Sequence, residues 1–236
     1  MGSERSTSPS DWGLPPRPSQ RVHLRIAALW TVLSLGPSLA LAPWLSWWVG
    51  LVAAVLAAVV VTVGPFVQLR RLERRFGGVV AVATSEPRLD NLVRGLSGDH
   101  RLVTPRAIVL EDAPANAFVW RPLLGTAVVA ISRSYLDALS RTELEGVVAH
   151  CLLRIDSSDA RAATMASLMG PIGARVAPKV GAFDDVGAAS LTRYPPGLAS
   201  AIGKAVPARG SAPLWFVSDA PSHRAAATRV EELADL

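Results

Sequence analysis

Cysteine occurs once in the 236 residues, at Cys151, so no disulfide can form within the chain. That is what a domain kept in a reducing compartment would show. Lysine is almost missing too, with only Lys179 and Lys204; arginine supplies the other cations, and with abundant Ala and Val this looks like coding bias more than function. No internal repeat is found. Charge is absent altogether from Ile26 to Leu69. That run is about twice the ~20 apolar residues that one membrane-spanning helix needs.

Ala42-Pro43 falls near the middle of the uncharged run, which predicts two spans, residues 26–42 and 45–67, joined by a turn. Pro37 lies inside the first, where a kink is tolerated if neighbouring groups satisfy the freed backbone. A signal peptide has an apolar region of only about 7–15 residues. Here a second, stronger apolar stretch follows at once. Arg17, Arg21 and Arg25 precede the first span, Arg70, Arg71, Arg74 and Arg75 follow the second, and the turn carries no charge. The positive-inside rule then places both ends in the cytoplasm, with Trp44, Trp47 and Trp48 as an aromatic belt on the far side. The expected organisation is a disordered tail over 1–25, a transmembrane hairpin over 26–69 and one cytoplasmic domain over 70–236. Much of the excess positive charge is explained by topology and anionic membrane lipid, which argues against nucleic-acid binding.

Within the domain, helical spacing marks Arg88–Leu96 and a helix beginning at Ser134–Leu139. Ala107–Leu110 and Thr126–Ile131 read as strands, with a loop over 111–117 between them. Ser140 and Glu143 form a capping box. Beyond it Leu144, Val147, Val148, Cys151, Leu152 and Ile155 make an apolar stripe, with His150 and Arg154 on its flank. Residues 164–182 are small and apolar but broken by Gly and Pro; 185–192, 197–205 and 225–236 read as further helices. The class is α+β, with a helix-dominated core.

Four stretches in this order resemble the HtpX and CAAX prenyl protease family of integral-membrane zinc metallopeptidases. Asn116-Ala117-Phe118 looks like the family's N-A-F at its substrate edge strand, and Ser140–His150 looks like the run into its zinc-binding helix. Asp185–Leu198 looks like the segment opening on its A-D motif, and His223 with Arg229 looks like its H-P-x-x-x-x-R pair. The resemblance covers about four-fifths of the chain and implies a zincin-like domain behind the hairpin.

The departures are at the metal. In H-E-x-x-H two histidines one turn apart bind zinc and the glutamate is the general base. Here the run is His150-Cys151-Leu152-Leu153-Arg154, so the base has become Cys151 and the second ligand Arg154. The third ligand, a glutamate in the family, falls on Gly181 when Asp185 is aligned. The family's further membrane hairpin is reduced to residues 160–180. Cys151 lies about 100° round the helix from His150 and points into the stripe, as a core residue would. The family's aspartate orients a zinc ligand from behind; with the metal lost, Asp185 or Asp184 would need a counter-charge, which Arg154 can supply through its planar fork. Arg154 reaching solvent from its helix end is the plain alternative. By the resemblance His223 and Arg229 would stabilise an oxyanion and organise the site, or brace the fold.

The expectation is therefore a membrane-anchored pseudopeptidase with no bound zinc and no catalytic set. It would act by binding a partner membrane protein, or a peptide laid along the edge at Asn116, Ala117 and Phe118. The rival readings are an active zinc endopeptidase with an unconventional or partner-completed metal site, and a product with no selected role.

Overall fold

The computed structural model describes Val32 and residues 47–81, 85–157, 159–177, 182–209, 212–220 and 222–236. The N-terminal tail, the first expected span, the turn at Ala42-Pro43 and Gly181 lie outside the described residues. Helix α1 is Trp47–Arg75. Among the described residues it is the one helix long and apolar enough to cross a membrane. Leu51, Val55, Val59 and Val63 along one side, and Val52, Leu56 and Val60 along the next, are all about half exposed. From Gly64 onward α1 joins the domain: Leu69 is buried, and Leu72 and Phe76 pack against the sheet.

The sheet follows. Strands β1 (Gly78–Val80), β2 (Arg106–Leu110), β3 (Ala117–Trp120) and β4 (Val128–Ser132) lie in the order β1-β2-β4-β3. β2 and β4 are parallel, with Ile108 opposite Ala130, and the two outer pairings are antiparallel. Helix α2 (Pro87–Asp99) packs Leu89, Val93 and Leu96 into the core. The expected strands at Ala107 and Thr126 are β2 and β4, each shifted by a residue or two. β1 was not foreseen; three residues are too few to show a period.

Helices α3 (Arg133–Ala138), α4 (Arg141–Asp156), α5 (Asp159–Ser167), α6 (Gly170–Val176), α7 (Ala182–Thr192), α8 (Pro195–Lys204) and α9 (Ala226–Ala234) complete the domain, with a single 3-10 turn at Ala212–Leu214 among the described residues. The capping box at the start of α4 is formed in both directions: Ser140 Oγ accepts from the Glu143 amide at 3.3 Å and Glu143 Oε2 accepts from the Ser140 amide at 2.6 Å. The apolar stripe predicted a helix buried on one side. Instead α4 is buried nearly all round, because α5, α7, α8, α2 and β3 surround it. His150 and Arg154, expected on its flank, are each only 1% exposed. The interrupted stretch 164–182 contains α6 and the end of α5, split at Gly170, whose φ of +58° suits a residue without a β-carbon. The mixed, helix-rich architecture is the α+β class expected.

Candidate functional site

The site is built where α4, α7, α9 and the segment 213–218 meet. α4 carries His150, Cys151 and Arg154 into the interior. α7 opens with Asp184 and Asp185 in its first turn, where the helix dipole favours negative charge. α9 brings Arg229, and the turn before it brings His223.

Asp185 is the centre of the arrangement. Arg229 grips it with two parallel hydrogen bonds, Nε to Oδ2 and Nη2 to Oδ1, both 2.7 Å. His150 Nδ1 stands 3.0 Å from the same Oδ1, close but off the direction of a good hydrogen bond. Burial alone would raise the Asp185 carboxyl; the charge and hydrogen bonds of Arg229, with His150 beside them, hold it well below the usual carboxylate range. Burial pushes His150 down to about 4, against the pull of Asp185, so the ring is neutral at physiological pH.

The counter-charge of Asp185 is therefore Arg229 and not Arg154, whereas for Asp184, the other carboxylate the sequence offered, Arg154 is a favourable nearby charge. Arg154 turns instead to the chain's own backbone, donating to the carbonyls of Trp215, at 3.4 Å, and Pro213. Burial lowers its pKa, while the charges of Asp184 and Asp159 favour the protonated form. The alternative of Arg154 reaching solvent also fails, since the side chain is enclosed. His223 Nε2 contacts the same Trp215 carbonyl at 2.7 Å, a geometry that requires the proton on Nε2. Burial and the nearby Arg154 charge push this histidine down to about 3. Arg229 Nη1 donates to the Phe216 carbonyl at 2.8 Å. The Phe216 ring lies between the His150 ring, edge to face at 4.9 Å, and the Arg229 guanidinium, also at 4.9 Å. Thus His223 and Arg229 both hold residues 215–216.

That segment lies on the outer side of β3. The Phe216 amide donates to the Ala117 carbonyl at 2.7 Å, and Phe118 pairs with Trp215 in an antiparallel bridge. The Asn116 amide group donates to the carbonyls of Val206 and Val217, each at 2.7 Å, and its oxygen accepts from the amides of Ala117 and Val217. Asn116, Ala117 and Phe118 are buried, and the edge expected to receive a peptide is occupied by the chain itself. Sequence reasoning left Leu214–Val217 unassigned. Its signal was present: a four-residue apolar run between Pro213 and Ser218 reads as a short buried strand.

Cys151 is fully buried in the main core, and burial pushes its thiol up to about 12. A thiol so placed stays protonated at neutral pH, as a core cysteine does.

The resemblance implies zinc, and the donor set does not fit it. A catalytic zinc takes three protein ligands and a water. His150 Nε2 is buried with no hydrogen-bond partner among the described residues, as a metal-facing nitrogen would be. Yet two guanidinium groups, Arg229 and Arg154, bear on this ring, and Gly181 has no side chain to offer. Among the described residues no three His, Cys, Asp or Glu side chains converge on a point that could hold a metal ion.

Comparison with known proteins gives relatives that share one name, "Protease HtpX homolog". The chain is 32% identical to that of Dictyoglomus turgidum over 122 residues, 51% of this chain and 40% of the relative. It is 38% identical to that of Dictyoglomus thermophilum over 96 residues, 40% of this chain and 32% of the relative. With the Levilactobacillus brevis protein the identity is 28% over 144 residues, 60% of this chain and 48% of the relative. The chain spans less than half the length of each of these three relatives. No family model matches the chain, and no solved structure does. Taken with the four motifs in their order, these matches make the chain HtpX-like.

Proposed function

We propose that this chain is a membrane-anchored pseudopeptidase: an HtpX-like domain whose metal centre has been replaced by a structural core, and which acts by binding a partner membrane protein. One observation carries the reading. Arg154, at the position of the second metal-binding histidine, spends its guanidinium on the carbonyls of Pro213 and Trp215. A permanent cation anchored there both repels zinc and has a role of its own in the fold. Binding of an extended peptide along Asn116–Phe118 would require residues 214–217 to leave first, so a folded partner is favoured over a peptide. Both ends of the chain face the cytoplasm in this reading, as the arginine flanks imply.

The test is the full chain purified in detergent. Zinc content below stoichiometry, no cleavage of a casein-like substrate, and a defined membrane protein recovered after cross-linking in the native membrane support the proposal. One zinc per chain that is lost on His150→Ala would overturn it. That outcome would favour the rival reading, a peptidase whose metal site a partner completes, for which the specific observation is His150 Nε2, without a hydrogen-bond partner among the described residues.

A further inference from the structure

Helix α1 changes character at Gly64. Before it, apolar side chains are exposed on adjoining faces. After it, the helix is bound into the domain: the Ser167 hydroxyl donates to Gln68 Oε1 at 3.0 Å, and Leu168 lies so close to Gly64 that a β-carbon there would touch it at 3.4 Å. At about 1.5 Å per residue, ~20 residues counted from Trp47 cover the roughly 30 Å hydrocarbon core. The bilayer boundary then falls close to Phe66.

Two parts of the domain reach that same level. The loop between β3 and β4 packs on Phe66: the ring is 5.8 Å from Trp120, and a β-carbon on Gly125 would touch it at 3.4 Å. The tip of this loop is Leu123-Leu124, 48% and 65% exposed, held outward by the turn at Gly125 with φ +104°. The turn from α5 into α6 packs on Gly64 through Leu168, and α6 then presents Ile172, 53% exposed. Isolated exposed leucines need no explanation. Three large apolar side chains beside the exit of an apolar helix do, because they prolong its apolar surface sideways. Cations border them: Arg70, Arg71, Arg74 and Arg75 are exposed on the next turns of α1, and Arg175 is exposed on α6.

We propose that Leu123, Leu124 and Ile172 dip into the interfacial layer of the same bilayer that α1 spans, so that the domain lies on the membrane at three points and the arginines meet anionic headgroups. The occupant of this surface is lipid, a choice supported by its continuity with α1 and by the charge around it. The inference rests on the anchoring proposed above. Docking on lipid would hold α4 with its C-terminal end toward the membrane, because Arg121, at the start of the same loop, donates to the Ile155 carbonyl.

The experiment uses the full chain reconstituted in vesicles of phosphatidylcholine and phosphatidylglycerol. Cys151 is fully buried, so a thiol-reactive environment-sensitive dye goes to an introduced cysteine. Four variants are labelled: Leu56→Cys, Leu124→Cys, Ile172→Cys and Tyr194→Cys. Tyr194 is exposed and lies at the opposite end of α4, beyond Gly197 and the Thr142 carbonyl, about 20 Å away by helix rise. Lipids carrying a nitroxide at shallow depth should quench the dye at 124 and 172 and leave 194 unquenched, while deep nitroxides quench 56. The unlabelled cysteines at 124 and 172 should also react several-fold more slowly with a charged thiol reagent in vesicles than the one at 194. Deep quenching at 56 with 124 and 172 behaving like 194 would overturn the proposal and leave the anchor standing. No quenching at 56 would remove the anchor and the proposal together.

Discussion

Asp185 and Arg229, 44 residues apart in sequence, form a two-point ion pair with almost no exposure to solvent, and His150 rests on the same carboxylate. Breaking one side leaves a charge buried without its partner, which costs about 3–5 kcal/mol. Arg229→Ala and Asp185→Ala should each destabilise the detergent-solubilised chain by that amount in urea unfolding. Replacing both with apolar residues, as in Asp185→Leu with Arg229→Met, should cost much less than the sum. By contrast, Arg154→Ala and Asp185→Ala should combine nearly additively, because no direct bond joins them. Strong coupling there, and none between 185 and 229, would refute the pairing.

Arg154 is expected to hold residues 213–217 in place. Arg154→Ala strips two buried carbonyls of a charged donor and leaves Asp184 and Asp159 less compensated, a loss of roughly 2–4 kcal/mol. Arg154→Lys should rescue little, since a single ammonium does not reproduce a planar fork. Hydrogen exchange reads the local effect: the Phe216 amide should lose protection in both variants before the amides of α2 do. Equal, global loss would mean that Arg154 stabilises the fold without fixing the segment.

Acid should weaken the domain earlier than carboxylates alone would allow. Burial holds His150 at about 4 and His223 at about 3, whereas in the unfolded chain both titrate near 6.5. Below about pH 6.5 the unfolded state therefore binds more protons than the folded one. Stability is unaffected by these groups above that pH and falls as pH drops toward 4, by up to about 1.4 kcal/mol per pH unit for each histidine. Asp185, held low in the fold, adds its own loss below the ordinary value of 3.8. The urea midpoint should be level above neutrality and decline below it, with a shallower decline in His223→Asn. A midpoint unchanged down to about pH 5 would contradict the burial of these rings.

A metal site should be partly recoverable. Arg154→His places a second imidazole one turn from His150 and removes the opposing cation; Gly181→Glu adds a third donor if the register from Asp185 holds. Titration calorimetry on the double variant should show zinc binding that neither single change gives, since two ligands hold the ion far more weakly than three. The general base is better left out. Cys151 sits wholly among apolar core residues, where Cys151→Glu would bury an unpaired carboxyl. A folded double variant with no affinity for zinc would show that residue 181 is not the ligand position.

Much of this site was readable from spacing. The i,i+4 relation of His150 and Arg154 fixed their shared face, the capping box fixed where α4 begins, and the run of 44 uncharged residues announced α1. Partner choice was not readable. Whether Asp185 meets Arg154 or Arg229 depends on how α9 returns across α7, and nothing local in either helix encodes it. The occupied edge was missed for a similar reason: the apolar run Leu214–Val217 was visible, but nothing local says that it lies against a strand about 100 residues earlier. The one-sided stripe on α4 misled because a central helix is enclosed by neighbours on its small and polar sides as well.

Asn116 has a consequence for synthesis. Its side chain closes on Val206 and Val217, made 90 and 101 residues after it. At about 5–20 residues per second, translation leaves β3 without those partners for roughly 5–20 s. During that interval a fully apolar strand presents open backbone groups to any other nascent chain on the same polysome. Expression yield should therefore respond to translation speed between residues 120 and 217 and to chaperone supply, even in variants whose finished fold is unchanged. The knot that seals the mature domain sets its most vulnerable moment just before Val217 leaves the ribosome.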